Sequence, residues 1–167
     1  LAALRYLFRN QPDVFVIADM LLYYEKGRTD KSKAPDVMVV KGVDTSIKRR
    51  TYKLWEEHVA PSVVIEVTSK STQQEDIATK PALYASFGVK EYFIFDPLFE
   101  YIEHQLMGYR FIEGELVPIE PDIDGDLHSE ELGAILSIDG SLLRVVDPAT
   151  GEFIPAMNEA MAVAEKE

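Results

Sequence analysis

The sequence predicts an α/β domain with a mixed central sheet, on three observations. Residues 62–68, SVVIEVT, form a continuous apolar run broken by one carboxylate, the pattern of a strand buried on both faces. A helix-like stretch and a second apolar run, EYFIFD at 91–96, follow it, and this β–α–β order makes parallel pairs. The second half then changes to short β-rich segments divided by glycine turns, which reads as added antiparallel strands.

The elements follow in order. Residues 1–10, LAALRYLFRN, read as the end of an amphipathic helix. VFVIADMLLYY at 14–24 is rich in β-branched and aromatic residues and reads as a strand with a break at Asp19. A polar connection leads to PDVMVV at 35–40, a short strand opened by proline, which need not donate to the ladder there. Residues 41–60 form a polar insertion holding Lys48, Arg49, Arg50, Lys53 and the only tryptophan, Trp55. After 62–68, Thr72 and Glu75 have the spacing of a capping box, which predicts a helix through about Phe87, stopped by Gly88. Pro81 lies inside it and predicts a kink, with Lys80 biased away from helical geometry. The hairpins carry turns at Glu113-Gly114, Asp139-Gly140 and Thr150-Gly151, the first within YIEHQLMGYRFIEGELVPIE. An Ala/Glu/Met helix begins at 156.

With 167 residues and no linker or repeat, the chain is expected to form one domain over 1–157, with 158–167 starting the C-terminal helix. It contains no cysteine, which excludes disulfides, thiolate metal sites and thiol nucleophiles. No apolar run approaches the roughly 18 residues of a membrane span, and no signal-peptide pattern opens the chain. The expectation is a cytoplasmic protein without a membrane partner. The first residue is not methionine, which suggests a fragment or trimmed chain. The net charge of −12 argues against indiscriminate binding to nucleic acid. It is uneven, however. Residues 1–53 hold 11 Lys/Arg and 6 Asp/Glu, whereas residues 54–167 hold 6 and 23. One positive face on an acidic body is allowed, although solvated surface charge is the plainer reading.

Two carboxylates sit in apolar strands. Asp36 opens one and Glu66 lies within the next. A buried carboxylate is costly unless it is paired, protonated or bound to a cation. On neighbouring strands the two can converge on one hard divalent ion such as Mg²⁺. Alternation puts Thr68 and Lys70 on the face of Glu66 if the strand stays regular. Asp76, Lys80 and Tyr84 are four apart and form one helical stripe, so Lys80 can approach the site. Each feature has a bland alternative: Pro-Asp as a turn signal, Glu66 as an ion-pair partner of Lys80, Asp76 and Lys80 as a surface pair, Tyr84 as core.

APDVMVV, PSVVIEVTSKST, DIATKPALY, GVKEYFIFDP and the late VVDPATGEFIP, in this order, resemble the Uma-two endonucleases of the PD-(D/E)xK nuclease superfamily. The resemblance implies a restriction-endonuclease-like fold, a mixed central sheet flanked by helices. It also implies Mg²⁺ or Mn²⁺ as cofactor, DNA as substrate and pairing into a homodimer. Carried over, Asp36 is the motif aspartate, Glu66 the second carboxylate and Lys80 the helix-borne lysine. Val67 joins Asp36 and Glu66 in the metal set. The superfamily's simplest pattern has lysine two residues after the acid, where this chain has Thr68, so the lysine is Lys80 or Lys70. The basic cluster Lys48, Arg49, Arg50 and Lys53 is the candidate phosphate contact.

His58, His104 and His128 show no ligand spacing. Asp122, Asp124 and Asp126 faintly resemble a calcium loop but lack its twelfth-position glutamate, which leaves an acidic turn. Two functions follow from the sequence. The first is a metal-dependent DNA endonuclease; the alternative is a catalytically inactive nuclease-fold protein acting as an assembly module.

Overall fold

In the computed structural model, which describes residues 1–156, the apolar runs become adjacent strands of one sheet. The chain opens with a short helix, α1 (Ala2–Leu7), followed by β1 (Val14–Ala18). Asp19 then takes a left-handed backbone conformation, φ 56°, and β1 ends there. Two very short strands come next, β2 (Leu22–Tyr23) and β3 (Ser32–Lys33), and then β4 (Val37–Lys41) directly after Pro35-Asp36. The polar insertion holds β5 (Tyr52–Lys53) and a single turn of helix, α2 (Leu54–Glu57). After β6 (Val63–Val67) comes a π-helical turn, Glu75–Thr79, continuous with α3 (Lys80–Ser86). Then follow β7 (Glu91–Phe95), β8 (Leu106–Ile112), β9 (Glu115–Pro118), β10 (Leu127–Ser129), β11 (Ala134–Asp139) and β12 (Leu142–Val146). The C-terminal helix expected beyond 156 lies outside the described residues. No helix among them is long and apolar enough to cross a membrane.

The central sheet has the order β1-β4-β6-β7-β8-β9. Only β6 and β7 pair in parallel, joined by the helical crossover; the other pairs are antiparallel. This is the mixed α+β architecture expected from the sequence. Alternation along the strands divides the core. Val39, Val63, Ile65, Phe93 and Phe95 face the small sheet β10-β11-β12 and α1, packing on Leu4, Leu127 and Leu136. Met38, Val64, Tyr92 and Ile94 face α3 and the other small sheet, β3-β2-β5, packing on Tyr84, Leu22 and Tyr52. Both faces of β6 are therefore covered, which is why its apolar run is continuous.

Three local expectations are corrected. The capping box does not form: Thr72 Oγ1 accepts the Ser69 N–H at 3.1 Å, and Glu75 instead pairs with Lys33. Lys80 is helical, at φ −63° and ψ −37°, although proline follows it. The π turn absorbs the conflict, because the Lys80 N–H reaches back five residues to the Glu75 carbonyl and widens the helix just before the Pro81 ring. Residues 101–105 are not strand; Asp96 Oδ2 holds them by accepting the N–H groups of Tyr101 and Ile102 at 2.6 and 3.2 Å.

Gly108 shows how tightly the sheet packs. A Cβ there would sit 2.7 Å from Phe93 Cδ1 and 3.1 Å from Leu127 Cδ1. Gly108→Ala should cost about 1–3 kcal/mol of overpacking. Urea unfolding should show a lower midpoint at unchanged slope.

Candidate active site

The ladder between β4 and β6 opens where its carboxylates begin. Val37 pairs with Ile65, so the next step sets Asp36 opposite Glu66 on the face covered by α3. Side chains replace backbone partners at this point. The Asp36 N–H donates to Glu66 Oε1 at 2.8 Å, and the Val67 N–H donates to Asp36 Oδ2 at 2.6 Å. Asp36 is half-buried and Glu66 is only 2% exposed. Asp36 Oδ1 has no hydrogen bond among the described residues.

The helix supplies the other half. The stripe Asp76, Lys80, Tyr84 points inward, and all three are buried. Lys80 Nζ donates to Glu66 Oε2 and, at 2.7 Å, to Asp76 Oδ1. The Tyr92 hydroxyl donates to the Asp76 carbonyl at 2.8 Å and ties the π turn to β7. On the helix side, Asp76 Oδ2 and the Tyr84 hydroxyl are buried without partners among the described residues.

Glu66 and Asp76 thus share one ammonium, and Asp36 joins the set through its N–H on Glu66. Fully ionised, the set carries two negative charges in excess. Burial pushes Glu66 up to about 7, although Lys80 and the Asp36 N–H oppose it. Burial also raises Asp36, against the Val67 N–H and Lys80, and the charges of Asp19 and Asp76 add to the rise. For Lys80, burial opposes the charge but Glu66 and Asp76 outweigh it, and the ammonium is held above its ordinary range. Tyr84 and Tyr92 are raised by burial and then by these carboxylates, so both are neutral phenols.

The family described as "Uma2: Putative restriction endonuclease" has a sequence model that matches residues 1–139. The chain belongs to the Uma2 family. A solved structure described as "a putative nuclease belonging to DUF820", from Anabaena variabilis ATCC 29413, superposes with a TM-score of 0.54 at 15% identity. The match covers 78% of this chain and 67% of that one. At this identity the likeness speaks for the fold, which is nuclease-like. No curated protein matches the sequence.

In this Uma2 chain the sequence candidates fall into two groups. Asp36, Glu66, Val67 and Lys80 come together. Because a strand residue's N–H and C=O lie on one edge, the Val67 carbonyl faces the Asp36 side. Lys70 does not join them: β6 ends at Val67, so alternation no longer aims Lys70, which is exposed on the following turn. Thr68, two residues after Glu66, is buried, and its hydroxyl has no partner among the described residues. The basic cluster is not a free set either. Arg49 is bidentate to Glu57, at 2.8 and 3.1 Å, and its side chain is only 5% exposed. Lys48 and Arg50 are exposed, and Lys53 lies 4.0 Å from Glu56.

Two residues at the site were not among the candidates. Asp76 was visible only as the i−4 neighbour of Lys80, and its burial could not be read from the stripe. Asp19 was visible only as a break in an apolar run. At the acidic turn, Asp122 Oδ1 already accepts the Asp124 and Asp126 N–H groups, and Asp122 Oδ2 meets His128 at 2.9 Å.

Proposed function

We propose that this chain is a divalent-metal-dependent endonuclease that hydrolyses DNA phosphodiester bonds where Asp36 faces Glu66. A nuclease function is supported by the family to which the chain belongs. The observation that carries the site is the charge balance: two carboxylates on one lysine and a third, Asp36, hydrogen-bonded to the first, with an oxygen of the half-buried Asp36 free among the described residues. The donors are hard oxygens, which suit Mg²⁺ or Mn²⁺, and two excess negative charges match a 2+ ion. Asp36, Glu66 and the Val67 carbonyl are the residues that would hold it. When bound, such an ion polarises a phosphoryl oxygen and acidifies a water.

The chain's own residues do the rest. Lys80 fixes the Glu66 carboxylate and presents an ammonium that orients the hydrolytic water and offsets charge developing on phosphate. Asp76 positions Lys80, and Tyr92 positions Asp76. In this reading Lys48, Arg50 and Lys53 contact backbone phosphates, a role that the exposure of Lys48 and Arg50 allows, with Arg49 bracing their loop through Glu57. Cutting both strands calls for two copies of the site, so a homodimer belongs to this reading.

The test is Mn²⁺ and Mg²⁺ titration calorimetry beside a plasmid-nicking assay, on the native chain, Asp36→Asn and Glu66→Gln. The native chain should bind and nick, and both variants should lose both properties while remaining folded. A folded native chain that binds neither ion at millimolar concentration would end the catalytic reading and leave the assembly module.

A further inference from the structure

We propose that Asp19 is a third carboxylate of this metal site, set beside Asp36 by an irregularity in the pairing of β1 with β4 and serving the solvent-facing side of a divalent cation. The inference rests on the metal reading above and adds to it a residue from a third strand.

The ladder from Val14↔Lys41 to Ala18↔Val37 is regular, and its next step brings Asp19 to Asp36. The pairing changes at this point. The Asp19 N–H donates at 3.1 Å to the Pro35 carbonyl, one residue out of register. Asp19 takes φ 56° to do so. A register slip of this kind bends the strand and re-aims the side chain. It leaves Asp19 exposed, with no hydrogen bond or ion pair on its carboxylate among the described residues.

A fold has little reason to set two aspartates across neighbouring strands, because like charges there repel. The repulsion is added to a cluster already short of positive charge. An independent observation points to a ligand. On the helix side of the same cluster, Asp76 Oδ2 is buried without a partner, though Asp76 Oδ1 is 2.7 Å from the lysine that binds Glu66. The Tyr84 hydroxyl beside it is equally unpartnered and fully buried. Among the described residues, no group meets the polar demand of these two atoms.

The plainer explanation is conformational, since aspartate tolerates the left-handed region and ends strands. Asparagine and glycine tolerate it as well. What only aspartate brings is charge, so the two explanations separate cleanly.

Mn²⁺ binding by titration calorimetry, with thermal unfolding alongside, should be measured on the native chain, Asp19→Asn, Asp19→Gly, Asp36→Asn and Asp124→Asn. Both Asp19 variants should bind Mn²⁺ about 10- to 100-fold more weakly, the scale on which losing a supporting group weakens a metal site. Their metal-free unfolding temperatures should stay at or above the native value, because charge repulsion is relieved. Asp36→Asn should lose the site, and Asp124→Asn, at the acidic turn, should bind as the native chain does. If Asp36→Asn loses binding while both Asp19 variants bind normally, the Asp19 inference is overturned and the metal reading stands. If binding is lost only in Asp124→Asn, or the native chain does not bind, both fall.

Discussion

Lys80→Met should reduce DNA cleavage by a factor on the order of 10²–10³, the range seen when a fixed donor to developing charge is removed. The same change should unsettle the fold, because it strands two buried carboxylates, Glu66 at 2% and Asp76 at 1% exposure. Breaking a buried ion pair from one side costs about 3–5 kcal/mol. The loss should depend on pH in a defined direction. In the native chain burial already raises Glu66 from its ordinary 4.5 to about 7. The folded form therefore binds this proton more tightly than the unfolded chain does. Its contribution to stability is greatest below about 4.5, falls as pH rises towards 7, and is level above. Without Lys80 the folded-state value rises further, so the decline should extend to higher pH. Urea titrations of Lys80→Met at pH 5.5 and 8 should show the larger loss at pH 8. Equal losses at both would mean that Lys80 acts by packing alone.

Glu91→Ala should be among the most destabilising single changes outside the site, with no specific effect on metal binding. Glu91 is fully buried at the start of β7 and looks as anomalous in sequence as Glu66 does. Its surroundings differ. Glu91 Oε2 accepts from Arg110 at 3.0 Å and from the Glu130 N–H at 3.0 Å, while Oε1 accepts from Ser129 Oγ at 2.5 Å and the Glu131 N–H at 3.3 Å. Every demand of this carboxylate is met, and its partners tie β7 to β8 and to the loop after β10. Removing it leaves the Ser129 hydroxyl and two N–H groups without an acceptor and should cost about 3–5 kcal/mol, or about 6–20 °C in Tm for a chain of this size. Scanning calorimetry with Mn²⁺ titration on the folded fraction checks both halves. Weakened Mn²⁺ binding by the folded variant would show that the two carboxylates are coupled.

Glu66 and Glu91 mark where sequence reading stops. Both are carboxylates in apolar strands, and composition cannot say which has its donors supplied by the fold. Those donors come from residues 19 to 40 positions away, on β8 and beyond. Asp36 and Glu66 could be linked from sequence on the condition that their strands are neighbours, because one opens a short apolar run and the other lies within the next. Lys70 illustrates the opposite case. Its expected aim depended on β6 continuing past Val67, and the chain turns there instead.

The sequence by itself determined the layered α+β architecture, the parallel crossover and the hairpins. Hydrophobic period and turn residues are local, and they act wherever the chain goes. It also marked Asp36, Glu66 and Lys80, by the rarity of charge in apolar surroundings and by four-residue spacing. Only the tertiary structure decided which lysine meets Glu66, that Arg49 is held by Glu57, and that Asp19 stands beside Asp36. Those outcomes depend on where strands end, how a π turn takes up a proline, and how one ladder slips by a residue. Each is set by packing between segments distant in the chain, which no local pattern carries.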